Sequence, residues 1–329
     1  MNVLSLFDGM SCGQLALQRA GIQVENYFAS EIDKYAIKVT QTNFPDTVQL
    51  GDVTKVKAEG QQLYDPFGCG HEIDLLIGGS PCQGFSFAGK QLNFDDPRSK
   101  LFWEYVRLLK ALKPKYFLLE NVKMKKESMD VITEALGVEP IFINSSLVSA
   151  QNRQRYYWTN IPVDKLPDDK GIVLADILED GHVDRDKSHC IDANYFKGGN
   201  LKSYFEKHRR QLVFSKDGMC HVGDAGISDK YAYLNRVYHP SGKGPTLVAS
   251  DGGHLQPKIS KGTTEYRKLT PKECERLQTV PEGYTDHVSN TQRYKMLGNG
   301  WTVDVVSHIM KGLTVWRQCN EVHSICNYP

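Results

Sequence analysis

The chain has 329 residues, 40% of them hydrophobic and 24% charged, with a formal net charge of +1. That length allows one large lobe and a smaller one around a substantial core, and the composition excludes a disordered chain. No apolar run reaches membrane-spanning length, and a net charge near zero means that any surface for nucleic acid must be local.

The first seven residues lack a basic segment ahead of a long apolar one, so they do not read as a signal peptide. Eight cysteines without paired spacing suit a reducing compartment, with cytoplasm as the default. Residues 2–6 are a short β-rich run leading into Phe7-Asp8-Gly9-Met10-Ser11-Cys12-Gly13, and residues 14–20 have the composition of a helix. This strand, glycine loop and helix lack the G-x-G-x-x-G fingerprint, so a tight βα turn is the plain reading. A second strand, 27–31, ends in Glu31 about twenty residues beyond the loop, a placement suited to the hydroxyls of a ribose. A third strand end at Leu50-Gly51-Asp52-Val53 brings another carboxylate to the same crevice, and the set implies a nucleoside cofactor.

Residues 73–77 form an apolar run followed directly by Gly78-Gly79-Ser80-Pro81-Cys82-Gln83-Gly84-Phe85-Ser86. A parallel sheet opens onto a crevice at such a point, so one cysteine is presented on a shaped loop. Taken alone, the loop is equally a cysteine packed in a turn. Residues 84–98 are longer than a linker needs and read as a closing lid, before an apolar helix at 100–112. Residues 116–119 are another buried strand, ending in Glu120-Asn121-Val122. A thiol and a carboxylate at the ends of two strands suit covalent attack assisted by an acid.

Pro81-Cys82-Gln83 and Glu120-Asn121-Val122 resemble the nucleophile and acid motifs of the DNA (cytosine-5)-methyltransferases, in family order. The resemblance implies a doubly wound, mostly parallel α/β sheet of the S-adenosylmethionine-dependent methyltransferase type, with a smaller irregular recognition domain. It also implies S-adenosylmethionine as cofactor and S-adenosylhomocysteine as product. On that resemblance Phe7 would pack on the adenine, and Asp8, Gly9, Met10 and Cys12 would cradle the amino-acid end. Glu31 would bind the ribose with Ile32 against the base, and Asp52 would accept from the adenine amine beside Val53. Pro81 and Leu101 are carried over as cofactor contacts, and Gln83 and Ser86 as DNA contacts. Asp8 after Phe7 makes the first loop look most like that of the eukaryotic de novo DNA methyltransferases.

A helix at 131–136 and a strand at 140–143 precede Gln151-Asn152-Arg153-Gln154-Arg155. A pair of arginines is usually a solvated or phosphate-binding surface. The family assigns this Arg-x-Arg to the flipped cytosine: Arg155 would bind its carbonyl oxygen, and Arg153 would orient Glu120 and favour the thiolate of Cys82. From Pro162 the periodicity weakens, so the chain divides into a catalytic domain at 1–162, a target-recognition domain at 163–266 and a return to the catalytic domain at 267–329. Lys197, Lys202, Arg209 and Arg210, interleaved with aromatics, could seat a phosphate backbone. Residues 266–278 read as a helix with Thr270 as N-cap, Pro271 at its first position and Glu273 at its third. The chain returns at Leu297-Gly298-Asn299-Gly300-Trp301-Thr302 before a helical run at 303–313. The resemblance sets Asn299, Gly300 and Trp301 against the cofactor, Trp301 again matching the de novo enzymes. Cys319, His323 and Cys326 are too few and too irregular for a metal site, and none is expected.

The partner implied is double-stranded DNA, joined by a cognate restriction endonuclease if the enzyme serves a restriction–modification system; oligomeric state is not legible. A stand-alone bacterial or phage enzyme in the cytoplasm is the expectation. An RNA-methylating branch of the same fold, and a silent DNA-binding paralogue, are the alternatives.

Overall fold

The computed structural model describes residues 1–80, 100–214 and 266–313, with the backbone of 221–224, 236–238 and 258–259. In chain order its central elements are β1 (Asn2–Leu6), α1 (Cys12–Arg19), β2 (Asn26–Ser30), α2 (Lys34–Asn43), β3 (Val48–Gln49), β4 (Leu75–Gly78), α3 (Lys100–Leu112), β5 (Tyr116–Val122), α4 (Lys126–Leu136), β6 (Pro140–Asn144) and β7 (Gln154–Thr159). These strands make one seven-stranded sheet in the order β3-β2-β1-β4-β5-β7-β6. Only β7 runs against its neighbours; the pairs β1–β2, β2–β3, β1–β4 and β4–β5 are all parallel. The chain leaves β1 for β2 on one side and later returns to β4 on the other, so the order reverses between β1 and β4. A crevice opens at their carboxyl ends.

Side-chain alternation builds two cores. Val3, Leu75, Ile77, Leu118 and Tyr157 point to one face and Leu4, Leu6, Leu76, Phe117, Leu119 and Trp158 to the other. On the second face α3 buries Phe102, Tyr105, Val106, Leu108 and Leu112, a helical spacing, with Ile132 and Leu136 of α4 beside them. Trp158 is fully buried, and its indole nitrogen donates to Thr133 Oγ1 at 3.0 Å, which keeps the polar edge of a large apolar side chain satisfied. The first face is covered by α1 and by the late helices α6 (Pro271–Leu277), α7 (Asn290–Asn299) and α8 (Val303–Met310).

Most expected elements form within a few residues of their predicted bounds. The helix expected over 266–278 begins only at Pro271, because Tyr266–Lys268 is a strand paired with Leu212–Phe214. Its capping box is present: Thr270 Oγ1 accepts from Glu273 N and Glu273 Oε2 from Thr270 N. The third strand stops at Gln49, because Asp52 caps a short 3-10 turn at Val53–Lys55. A three-stranded ribbon, Lys57–Glu59, Gln62–Tyr64 and Gly70–Glu72, has no forecast counterpart; its outer strands are largely exposed, so their pattern carries little signal. In the second segment the described structure is one short helix, α5 (Leu201–Lys207), with small ladders and turns. No described helix is long and apolar enough to cross a membrane.

Candidate active site

A crevice of about 650 Å³ lies at the carboxyl ends of β1, β2, β4 and β5. Its floor is the turn after β1, where Phe7, Gly9 and Ser11 all hold positive φ. Two of these are not glycine, a strained conformation the surroundings must impose. The hydrogen bonds that do so are Asp8 N to Ser30 O, Gly9 N to Glu31 Oε2 at 2.8 Å, and Tyr284 Oη to Met10 O at 2.7 Å. Glu31 also accepts from the amides of Ile32 and Asp33, so its carboxylate is locked at the rim. Ile32 is 77% exposed, an unusual position for a large aliphatic residue, and it lines the crevice. Asp52 lines the same side of the crevice, with Oδ1 accepting from the amide and hydroxyl of Thr54; these bonds hold its carboxyl below the usual range.

Of the expected cofactor residues, Phe7, Asp8, Gly9, Cys12, Glu31, Ile32, Asp52, Val53, Leu101, Asn299, Gly300 and Trp301 line this crevice. Pro81 lies outside the described residues. Met10 is 1% exposed, its side chain turned into the core under Gly300, and it is not among the residues lining the space. Cys12 is buried, and burial pushes its thiol up to about 12, which makes it an inert packing residue. The chain also brings Asp33 and Lys295 to the rim, ion-paired at 2.7 Å, and neither was forecast. No local spacing could have shown a pair so far apart in sequence.

Asp8 is 9% exposed; Oδ1 accepts from Tyr27 Oη at 2.8 Å, while Oδ2 meets no aligned donor. Burial above all raises its carboxyl from 3.8 to about 6. A carboxyl raised on folding keeps its proton in the native state over a window where the unfolded chain has lost it. Stability from this group therefore falls as pH rises from about 4 to about 6. Asp8→Asn is expected to remove that slope; equal slopes in urea denaturation of wild type and variant across this window would rule Asp8 out as its source.

The opposite wall carries Glu120 and Arg155. Glu120, near the end of β5, is 8% exposed, and Arg155 Nε of β7 stands 2.7 Å from its Oε1. The contact is an ion pair more than an aligned hydrogen bond, since Nε has no well-directed acceptor. Burial opposes the charge of Arg155, but Glu120 and Cys190 beside it outweigh burial and raise its pKa above the ordinary arginine value. Asn121 Nδ2 reaches Ser80 Oγ at 3.3 Å and Ser80 O at 3.4 Å, tying the end of β5 to the residue two before Cys82. Cys82, Gln83 and Ser86 lie outside the described residues.

Arg153 departs from expectation. It is 2% exposed and donates to Cys190 Sγ and to the carbonyls of Ile191, Gly298 and Gly300, so Arg155, not Arg153, faces Glu120. In the second segment Lys197 is exposed over the ring of Phe196. Arg209, by contrast, is paired with Asp192 at 3.1 Å. Arg210 donates to Gly198 O at 2.9 Å and is half-buried. Lys202 lies in α5.

Trp301 and Glu120 account for Gly79. A Cβ on Gly79 would stand 2.9 Å from Trp301 Nε1 and 3.1 Å from Glu120 Oε2, whereas one on Gly13 would stand 2.4 Å from Ile77 Cδ1. Gly79→Ala is expected to destabilise the fold by about 1–3 kcal/mol through overpacking and to disturb Glu120 as well. Unchanged urea stability would show that Trp301 yields without cost.

The doubly wound, mostly parallel α/β sheet, with Glu31 and Asp52 on one wall of the crevice and the Glu120–Arg155 pair on the other, has the architecture of the S-adenosylmethionine-dependent methyltransferase fold. A family model described as C-5 cytosine-specific DNA methylase matches residues 1–314, and the chain belongs to that family. It is 31% identical over 319 residues to the Type II methyltransferase M1.ScrFI of Lactococcus lactis subsp. cremoris, covering 93% of this chain and 76% of that protein. Against the Type II methyltransferase M.HhaI of Haemophilus parahaemolyticus it is 27% identical, over 94% of this chain and 93% of the other. The solved structure of the Entamoeba histolytica methyltransferase EhMeth superposes with a TM-score of 0.66 over 96% of this chain and 98% of that one, at 18% identity, which speaks for the fold alone.

Proposed function

We propose that the chain methylates carbon 5 of a cytosine flipped out of duplex DNA, using S-adenosylmethionine and a covalent bond from Cys82. The observation that carries this reading is the crevice itself. Glu31, Asp52 and the exposed Ile32 stand on one side, the Glu120–Arg155 pair on the other, and Ser80, just ahead of Cys82, is held between them by Asn121.

The residues fit the cofactor. Glu31 is already anchored by three amides and offers its remaining lone pairs to ribose hydroxyls, Ile32 offers an apolar face to a base, and Asp52 keeps a carboxylate at the rim. When bound, the sulfonium supplies an electrophilic methyl group.

Carbon 5 of cytosine is too weak a nucleophile to take that methyl unaided. Addition of the Cys82 thiolate to carbon 6 forms a carbon–sulfur bond and moves the ring electrons toward carbon 5. Glu120 hydrogen-bonds ring nitrogen 3 and the exocyclic amine, stabilising the proton that nitrogen 3 gains as charge builds there. Arg155 directs positive charge at the carbonyl oxygen. After transfer, a base removes the carbon 5 proton, the carbon–sulfur bond breaks, and 5-methylcytosine leaves. A stacked base cannot present carbon 6 to this crevice, so the nucleotide must be extruded, at a cost of a few kcal/mol. The proposed setting is the cytoplasm of a bacterial or phage-infected cell.

Nucleoside mass spectrometry after incubation with S-adenosylmethionine and unmethylated duplex DNA tests the proposal, and new 5-methyldeoxycytidine is expected. Methylation confined to tRNA, or none at all, would overturn it.

A further inference from the structure

Residues 190–193 pass between two parts of the catalytic lobe. Just before them, Ser188–His189 pairs in parallel with Gln151–Asn152, so the second segment is hydrogen-bonded to the residues that lead into β7. On the other side they meet the C-terminal end of α7 and the turn after it, at 298–301, which line the crevice. The approach is backbone to backbone: a Cβ on Gly298 would stand 2.2 Å from Asp192 C and 2.5 Å from Ala193 N.

Arg153 lies at this junction. Its Nη1 donates to Cys190 Sγ at 3.3 Å, Ile191 O at 3.2 Å and Gly298 O at 3.3 Å. Its Nη2 donates to Gly298 O at 3.3 Å and Gly300 O at 2.7 Å. One buried guanidinium thus holds carbonyls from both the second segment and the crevice wall. Gln278 reinforces the wall side, its Nε2 donating to Leu297 O at 2.6 Å and Gly300 O at 3.2 Å. A planar fork can span two groups of acceptors in this way, whereas the point charge of a lysine cannot.

We propose that Arg153 is a positioning residue that fixes the C-terminal end of α7 and Gly300, at 298–300, to the second segment at 190–193, so that each sets the other's placement. Because both strands of contact end on one side chain, displacing either disturbs both, and any coupling between ligands on the two sides is reciprocal. The part of the inference that concerns the cofactor rests on the function proposed above; the tie between the two segments does not.

Hydrogen–deuterium exchange on the ligand-free chain reads that tie directly. Arg153→Lys is expected to raise exchange about tenfold in both 190–193 and 298–302 while amides of β1, β4 and β5 keep their protection. It is also expected to weaken S-adenosylhomocysteine binding about tenfold in the absence of any nucleic acid, and to raise the cofactor KM more than it lowers kcat. Cys190→Ala, which removes one weak acceptor, is expected to change binding by less than about threefold. If Arg153→Lys does not fold, Gly298→Ala takes its place, since its added methyl must separate the same two segments. Unchanged exchange in both segments, or loosening of one alone, overturns the proposal. Loosening of both with S-adenosylhomocysteine binding unchanged upholds the tie and counts against the cofactor reading of the crevice.

Discussion

Cys82→Ala is expected to lower methyl transfer by at least about 10⁴-fold while leaving S-adenosylhomocysteine binding near the wild-type value, since removing a covalent nucleophile takes away the step that activates the ring. No neighbouring thiol can stand in among the described residues. Cys12 lines the same crevice, but its thiol is pushed up to about 12 by burial and stays protonated. Cys274 is fully buried in the core, and Cys190 is engaged by Arg153. The assay is nucleoside mass spectrometry on duplex DNA beside calorimetric titration of the cofactor product. Methyl transfer by the alanine variant would refute the covalent scheme.

Glu120→Gln should have two separable effects. The amide cannot stabilise the proton at nitrogen 3, so kcat is expected to fall by about 10²–10⁴-fold. The second effect falls on Arg155. Side-chain exposures of 10% for Glu120 and 12% for Arg155 make this a nearly buried pair. Removing one partner of such a pair leaves an uncompensated charge, worth about 3–5 kcal/mol of stability. Urea denaturation reports the second effect and single-turnover methylation the first. A stability loss with no loss of turnover would make Glu120 a structural anchor of Arg155 and not an acid.

The sheet was legible because its strands alternate or run apolar and end in punctuation: Phe7-Asp8-Gly9, Glu31, Gly78-Gly79 and Glu120-Asn121 fall at or near strand ends, where an α/β sheet places its ligands. The capping box at Thr270 and Glu273 was legible for the same local reason. What the sequence hid depends on contacts made at a distance. The family resemblance assigns Arg153 to orienting Glu120, but its acceptors Gly298 and Gly300 come 145 and 147 residues later. Lys295 and Asp33 are 262 residues apart. Met10 sits in a glycine loop that suggested cofactor contact, yet an apolar side chain in so strained a turn goes to the core. Arg209 and Arg210 make their hydrogen bonds to Asp192 and the Gly198 carbonyl, 17 and 12 residues back, contacts that composition does not show.

The first strand and the last described helix share one core, and α7 with the turn after it completes a crevice whose other walls are built from the first half of the chain. Biosynthesis therefore makes the reactive groups long before it makes the enzyme. At about 5–20 residues per second, the interval between Glu120 and Trp301 is roughly ten to forty seconds. Until it has elapsed, a nascent chain carries Cys82 and Glu120 without the wall that Asn299, Gly300 and Trp301 supply. A polypeptide released before residue 299 therefore lacks one wall of the crevice.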